Sequence, residues 1–122
     1  MNENELSALV RLEAEKQGMR LWRNNVGATY TKEGNFIRYG LANDSKQLNS
    51  VVKSADLIGV KPIRITSEMI GKVIGQFVSY EIKNPHWVYR GTPHEMSQHR
   101  WLELIKMLGG DARFITKLED LL

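Results

Sequence analysis

Val73–Lys83 (VIGQFVSYEIK) is the stretch on which the fold turns. β-branched and aromatic residues dominate it, which predicts a strand. Strand alternation sets Val78, Tyr80 and Ile82 on one face and Phe77, Ser79, Glu81 and Lys83 on the other. Two charged residues therefore share a face at the end of a core strand, about 7 Å apart along it. Working outward, Asn84–Gly91 (NPHWVYRG) is a polar-aromatic loop with a turn at Asn84-Pro85. A helix start follows: Thr92 caps, Pro93 suits the first helical position and Glu95 completes a capping box. That helix is expected to run to about Leu108, with Met96, Trp101, Leu104, Ile105 and Leu108 as its apolar stripe, and to end at Gly109-Gly110. Ala112–Ile115 suits a last strand, and Thr116–Leu122 a short terminal helix.

On the other side of the stretch, Pro62–Gly71 is a connection in which Ser67, Glu68 and Met69 fit one helical turn. Ala55–Val60 (ADLIGV) is a short apolar strand. Residues 42–54 (ANDSKQLNSVVKS) are polar and predict a loop. Strands joined by turns at Gly27, Gly34 and Gly40 account for the preceding segment, with Met19–Asn24 (MRLWRN) as a further strand. Asn4–Gln17 predicts a helix with Leu6, Leu9, Val10 and Ala14 on one face, ended by Gly18. This order predicts an α/β or α+β sheet with helices packed on it.

The chain has 122 residues, no cysteine, and a formal net charge of +3. That length predicts a single domain over residues 1–122. The missing cysteines exclude disulfides, cysteine-ligated zinc and thiol nucleophiles. The three histidines, His86, His94 and His99, lack zinc-ligand spacing. The first residues alternate charged and apolar side chains, unlike a signal peptide, and no apolar run could span a bilayer. The expectation is a soluble protein without membrane attachment. Charge is unevenly placed: residues 20–64 hold eight basic and three acidic side chains, whereas residues 1–19 are net acidic and residues 65–122 balanced. A basic middle third suits a phosphate-backbone binder, and equally a mildly basic solvated surface.

Asp56 lies in an apolar strand, as Glu81 and Lys83 do in theirs. Charges there are costly unless paired or metal-bound. Two readings fit the residues alone. One is a structural Asp/Glu–Lys ion pair near a sheet edge. The other is an all-oxygen divalent-cation site with a lysine beside it to orient or deprotonate a water.

The string Asp56-X24-Glu81-Ile82-Lys83 resembles the active-site signature of the PD-(D/E)XK nuclease superfamily, and the chain is similar to its VRR-NUC (virus-type replication-repair nuclease) family over nearly its whole length. The matching pieces are the leading helix with Glu5, then Gly18 followed by Leu21–Gly27 (LWRNNVG), Arg38-Tyr39-Gly40, Ser54–Gly59 (SADLIG), Tyr80–Lys83 (YEIK), and Ser97-Gln98 leading a helix that ends in Gly109-Gly110. Ala55 stands where the superfamily name has proline, and Lys53-Ser54 where glycine is usual.

The resemblance implies an α/β, restriction-endonuclease-like fold, with a central mixed β-sheet flanked by helices, and a Mg²⁺- or Mn²⁺-dependent DNA endonuclease. Its substrate would be branched DNA, above all the four-way Holliday junction of recombination and repair, cut by a homodimer in the cytoplasm of a bacterial or phage-infected cell. It implies Asp56, Glu81 and the backbone carbonyl of Ile82 as metal ligands, and Lys83 as the residue positioning the attacking water. Gln98 would assist. Glu5, which matches the family spacing to Gly18 better than Glu13, would contact a metal or its water. Arg23, Arg38, Lys53 and Arg90 are the nucleic-acid contacts to expect. Rival readings are a flap or single-strand nuclease on this fold, an RNA-processing nuclease, and a DNA-binding module without catalysis.

Overall fold

The structure is a computed structural model that describes residues 1–121. The chain gathers into two compact units, Met1–Gly59 and the part from Val60 onward.

The first unit opens with α1 (Glu3–Lys16). Asn2 caps it, its side chain accepting from the Glu5 amide at 2.8 Å while the Glu5 carboxylate reaches back to the Asn2 amide. This reciprocal pairing satisfies two amides that the first turn leaves without helical partners. α1 packs on β1 (Arg20–Arg23). β2 (Gly27–Tyr30) and β3 (Phe36–Tyr39) form an antiparallel hairpin with Gly27 opposite Tyr39. β4 (Leu57–Val60) pairs with β1. Asn24 locks the entrance to β4: its amide N–H donates to the Asp56 carbonyl at 2.8 Å, and its side chain to Ser54 Oγ and the Ala55 carbonyl.

Between the hairpin and β4 the expected loop 42–54 is corrected. It contains α2 (Lys46–Val51), capped by Ser45 Oγ accepting from the Leu48 amide. The helix is six residues long and offers only Leu48, Val51 and Val52 as an apolar set, too short a run in a polar stretch for periodicity to stand out; the cap residue is the signal that could have revealed it.

In the second unit, a 3₁₀ turn at Ser67–Met69 falls where one helical turn was expected. The strand expected over Val73–Lys83 is shorter, β5 (Val78–Ile82). Residues 73–77 carry strand-forming residues but lie before the strand: Gly75 interrupts them, Gln76 turns its side chain to the Gly109 carbonyl, and the Phe77 carbonyl accepts from the Asp111 amide at 2.9 Å where the ladder begins. α3 (Pro93–Met107) starts at the expected capping box and crosses over to β6 (Asp111–Ile115), which runs parallel to β5 with Glu81 opposite Phe114. This is a βαβ unit, with α3 packed on both strands. A 3₁₀ turn at Leu118–Leu121 follows; the last residue of the expected terminal helix, Leu122, lies outside the described residues.

The fold is thus α/β, with antiparallel and parallel pairing both present. Among the described residues the strands pair two by two, in three short sheets, where one central sheet was expected. Each strand is only four or five residues long, so each ladder is short. Among the described residues no helix is long and apolar enough to cross a membrane.

The inner face of α3 is also corrected. Its buried residues are Glu95, Leu102 and Ile105, and Gln98 lies half-buried on the same side. Trp101, expected in the core, is exposed at its edge and donates its indole N–H to Ser79 Oγ at 2.8 Å. Half of the inward face is polar, so a search for an apolar stripe settles one position off it.

Candidate active site

Three of the expected residues converge in the second unit. Lys83, just past the end of β5, has a side chain only 16% exposed. Its stem runs against an aromatic wall: Nζ lies 5.5 Å from the Trp87 ring centre and 6.0 Å from that of Phe114. Nζ donates to Gln98 Oε1 at 2.8 Å, and Gln98 Nε2 donates to Glu81 Oε1 at 2.8 Å. Lys83 and Glu81 themselves are 3.9 Å apart, at the limit of an ion pair. The amide of Gln98 therefore orients both charges without cancelling either. The second oxygen of Glu81 and two protons of Lys83 remain available. A hollow of about 290 Å³ opens beside them, lined by Glu81, Gln98, His94 and Ser97 among others. His94, weighed from the sequence only as a zinc ligand, was not expected at this site; its place in the first turn of α3, one turn before Gln98, is the signal that points to it.

Glu95 braces this arrangement. It is buried, and its carboxylate accepts from the Trp87 indole N–H at 2.8 Å and from the amides of Arg90 and Thr92, both at 3.1 Å. The hydrogen bond from the Thr92 backbone, with those from Arg90 and Trp87, holds its pKa below the ordinary carboxylate value against the opposing effect of burial. Glu95 thus ties the Trp87–Thr92 loop, whose indole walls Lys83, to α3. The aromatic loop was expected either to cover the core edge or to meet DNA. Trp87 covers: its ring lies 4.7 Å from that of Phe114. Arg90 is exposed and uses its backbone amide, rather than its guanidinium, on Glu95.

A depressed folded-state pKa means that ionised Glu95 stabilises the native protein above the unfolded pKa, and that this contribution fades as pH falls through the folded one. Glu95→Gln is therefore expected to lower the urea midpoint at pH 7. The gap to wild type should close on acidification toward and below the folded pKa. Paired urea titrations across that range check this; a gap constant with pH would show that charge is not what Glu95 contributes.

In the first unit Asp56 is exposed immediately before β4. Its side chain makes no hydrogen bond or ion pair among the described residues, and it borders a shallow groove of about 260 Å³ with Glu3, Leu6, Ser7, Val10 and Leu57. Glu3, not Glu5, is the acid of α1 that lines this groove. Glu5 is engaged in the capping box, and Glu13 accepts from Gln17. Glu3 was overlooked because the apolar period of α1 was read from Asn4 onward. Ile82 is exposed and stands opposite Ile115. Arg23 ends β1 in an exposed position. Arg38 and Lys53 line one groove, about 370 Å³ in volume.

Among the described residues no three His, Cys, Asp or Glu side chains form a metal-binding group. Asp56 in the first unit and Glu81 in the second each keep a carboxylate oxygen without a protein partner among the described residues, and oxygen is the donor that a hard cation such as Mg²⁺ takes. Comparison with models of known protein families, with curated proteins and with solved structures finds no match to this chain.

Proposed function

We propose that this protein is a Mg²⁺-dependent, structure-selective DNA endonuclease of PD-(D/E)XK type, resembling the VRR-NUC nucleases and resolving four-way junctions as a homodimer. One observation carries the reading. Lys83 and Glu81 are held 3.9 Å apart by a bridging glutamine rather than fused in a tight ion pair, so both keep free valences, and Glu81 and Gln98 border a solvent-open hollow. A purely structural pair would close directly, because the glutamine adds two groups that must be ordered for no gain in charge pairing.

In this reading Lys83 Nζ holds the attacking water, using a proton that Gln98 does not take, and faces the phosphate with its positive charge. Gln98 fixes the ammonium and the Glu81 carboxylate in one plane of hydrogen bonds. The Trp87–Phe114 wall keeps bulk water from the lysine stem. Asp56 and Glu81, with the Ile82 carbonyl, are the proposed ligands of the divalent ion, which when bound lowers the pKa of its water and stabilises negative charge on the phosphate. A homodimer suits the substrate, since a two-fold pair of sites matches the symmetry of a junction cut on two strands.

The test is cleavage of labelled four-way junction, flap and linear duplex with and without Mg²⁺, by wild type and Asp56→Asn. The expected result is metal-dependent junction cleavage that Asp56→Asn loses while still binding. Cleavage of the flap but not the junction would overturn the substrate, and cleavage of nothing would overturn the enzyme. Light scattering reads the dimer.

A further inference from the structure

We propose that Arg38 and Lys53 form a preorganised phosphate clamp in the first unit, which grips a nucleic-acid backbone without any divalent metal. It rests on the reading above only for the identity of the polyanion.

The clamp is built around Asn43, whose residue is only 3% exposed. The Asn43 side-chain amide donates to the carbonyls of Gly27 and Tyr39, at 2.7 and 2.9 Å, which fixes its orientation between β2 and the end of β3. Its remaining oxygen then accepts from Arg38 Nη1 at 2.9 Å. The backbone is bent to place it there. Gly40 takes a φ of 93°, and a Cβ on it would lie 2.5 Å from the Asn25 carbonyl oxygen. Ala42 takes a φ of 56°, a conformation that non-glycine residues adopt only under local constraint. A buried amide and a strained turn are thus committed to aiming one guanidinium.

The choice of an amide is informative. A carboxylate at this place would accept from Arg38 but neutralise it, and it could not donate to the Gly27 and Tyr39 carbonyls that fix the side chain. The Asn43 oxygen orients the guanidinium and leaves its charge and the rest of its donor fork for another acceptor. Lys53 borders the same groove, aimed by Asn49 Oδ1 at 2.7 Å, again an amide oxygen. Neither cation has a carboxylate partner among the described residues, and no acidic residue lines the groove. Two cations aimed by neutral oxygens into one acid-free groove are complementary to a phosphodiester. Ser54, in the same groove, donates to the Leu41 carbonyl and accepts from Asn24, the residue that also holds the Ala55 and Asp56 carbonyls. The clamp is therefore coupled through Ser54 and Asn24 to the backbone that carries Asp56.

The experiment measures binding of a labelled duplex and a labelled four-way junction in EDTA, by anisotropy, across 50–200 mM salt. Lys53→Gln is expected to weaken both alike and to flatten the slope of log K against log salt by about 0.9. Adding Arg38→Gln should flatten it by about as much again. Arg38→Lys should keep the slope while losing affinity, because the charge survives and the fork does not. Lys16→Gln, at the end of α1, should leave the slope unchanged. Addition of DNA should shift the Arg38 Nε resonance. A wild-type slope in the Arg38→Gln/Lys53→Gln protein overturns the clamp, as does a Lys16→Gln effect equal to that of Lys53→Gln. Inorganic phosphate is the second arm, at matched ionic strength. If it shifts Arg38 Nε and duplex does not, the ligand is free phosphate and the nucleic-acid assignment fails. Because binding is read without metal, DNA that the clamp holds in EDTA but that stays uncut when Mg²⁺ is supplied would overturn the nuclease reading alone.

Discussion

Lys83→Met is expected to bind a four-way junction as tightly as wild type and to cut it about 10³-fold more slowly. Methionine keeps the length and apolar body of the stem that lies against Trp87 and Phe114, so the wall that covers it stays filled. What disappears is the ammonium, and with it the donor to Gln98 Oε1. Gln98 can still donate to Glu81, so the carboxylate keeps its place. The variant therefore separates the charge of Lys83 from its packing. Lys83→Arg should not restore cleavage, because a planar fork cannot occupy the position of a compact ammonium 2.8 Å from an amide oxygen without displacing it. Gln98→Ala should lose less, about 10- to 100-fold, since it acts by orienting the other two. Single-turnover cleavage with Mg²⁺, beside binding in EDTA, provides both readouts. A Lys83→Met protein that cuts at the wild-type rate would show that the lysine is structural. A Gln98→Ala protein as inactive as Lys83→Met would place the glutamine itself at the reacting phosphate.

The sequence revealed most where local chemistry decides the structure. Thr92, Pro93 and Glu95 announce the start of α3 because capping is settled within four residues. The hydroxyl of Ser45 likewise announces α2, but the polar composition of residues 42–54 outweighed it. The limits of β5 were not legible, because residues 73–77 have strand propensity and the ladder depends on partners distant in sequence. The candidate site follows the same division. Glu81 and Lys83 could be placed on one face by alternation alone. That Gln98 bridges them is a contact across 15 residues of loop and helix, which only the family resemblance suggested. Asn43 had no signal at all: a polar residue in a polar stretch, its burial comes from the turn that Gly40 and Ala42 make. The inner face of α3 shows the general reason. Where Glu95 and Gln98 replace apolar residues, the hydrophobic period breaks, and it breaks beside the candidate site.

Gly59→Ala should cost about 2–4 kcal/mol of stability, whereas Gly75→Ala should be neutral or stabilising by up to about 1 kcal/mol. Neither glycine takes a positive φ, so what decides between them is what a methyl group would meet. At Gly59, in the middle of β4, a Cβ would fall on the Arg20 carbonyl oxygen of the paired strand β1, and within 2.8 Å of Leu21 Cδ2. The Leu21 side chain can rotate away, but the carbonyl is backbone and belongs to the ladder. The strands must separate, and the short β1–β4 pairing has few hydrogen bonds with which to resist. At Gly75 nothing lies within 4 Å, and the backbone conformation suits any residue. There the methyl group acts through the unfolded chain, by narrowing its conformational freedom. Urea midpoints at one pH measure both. The Gly59 variant should also blunt function in the fraction that stays folded, because Asn24 at the end of β1 holds the Ala55 and Asp56 carbonyls. Moving β1 from β4 strains that grip and shifts Asp56. Cleavage should then fall more than the loss of folded protein explains, with metal-free DNA binding less affected. Equal urea midpoints for the two alanine variants would mean that β1 and β4 do not approach this closely in solution.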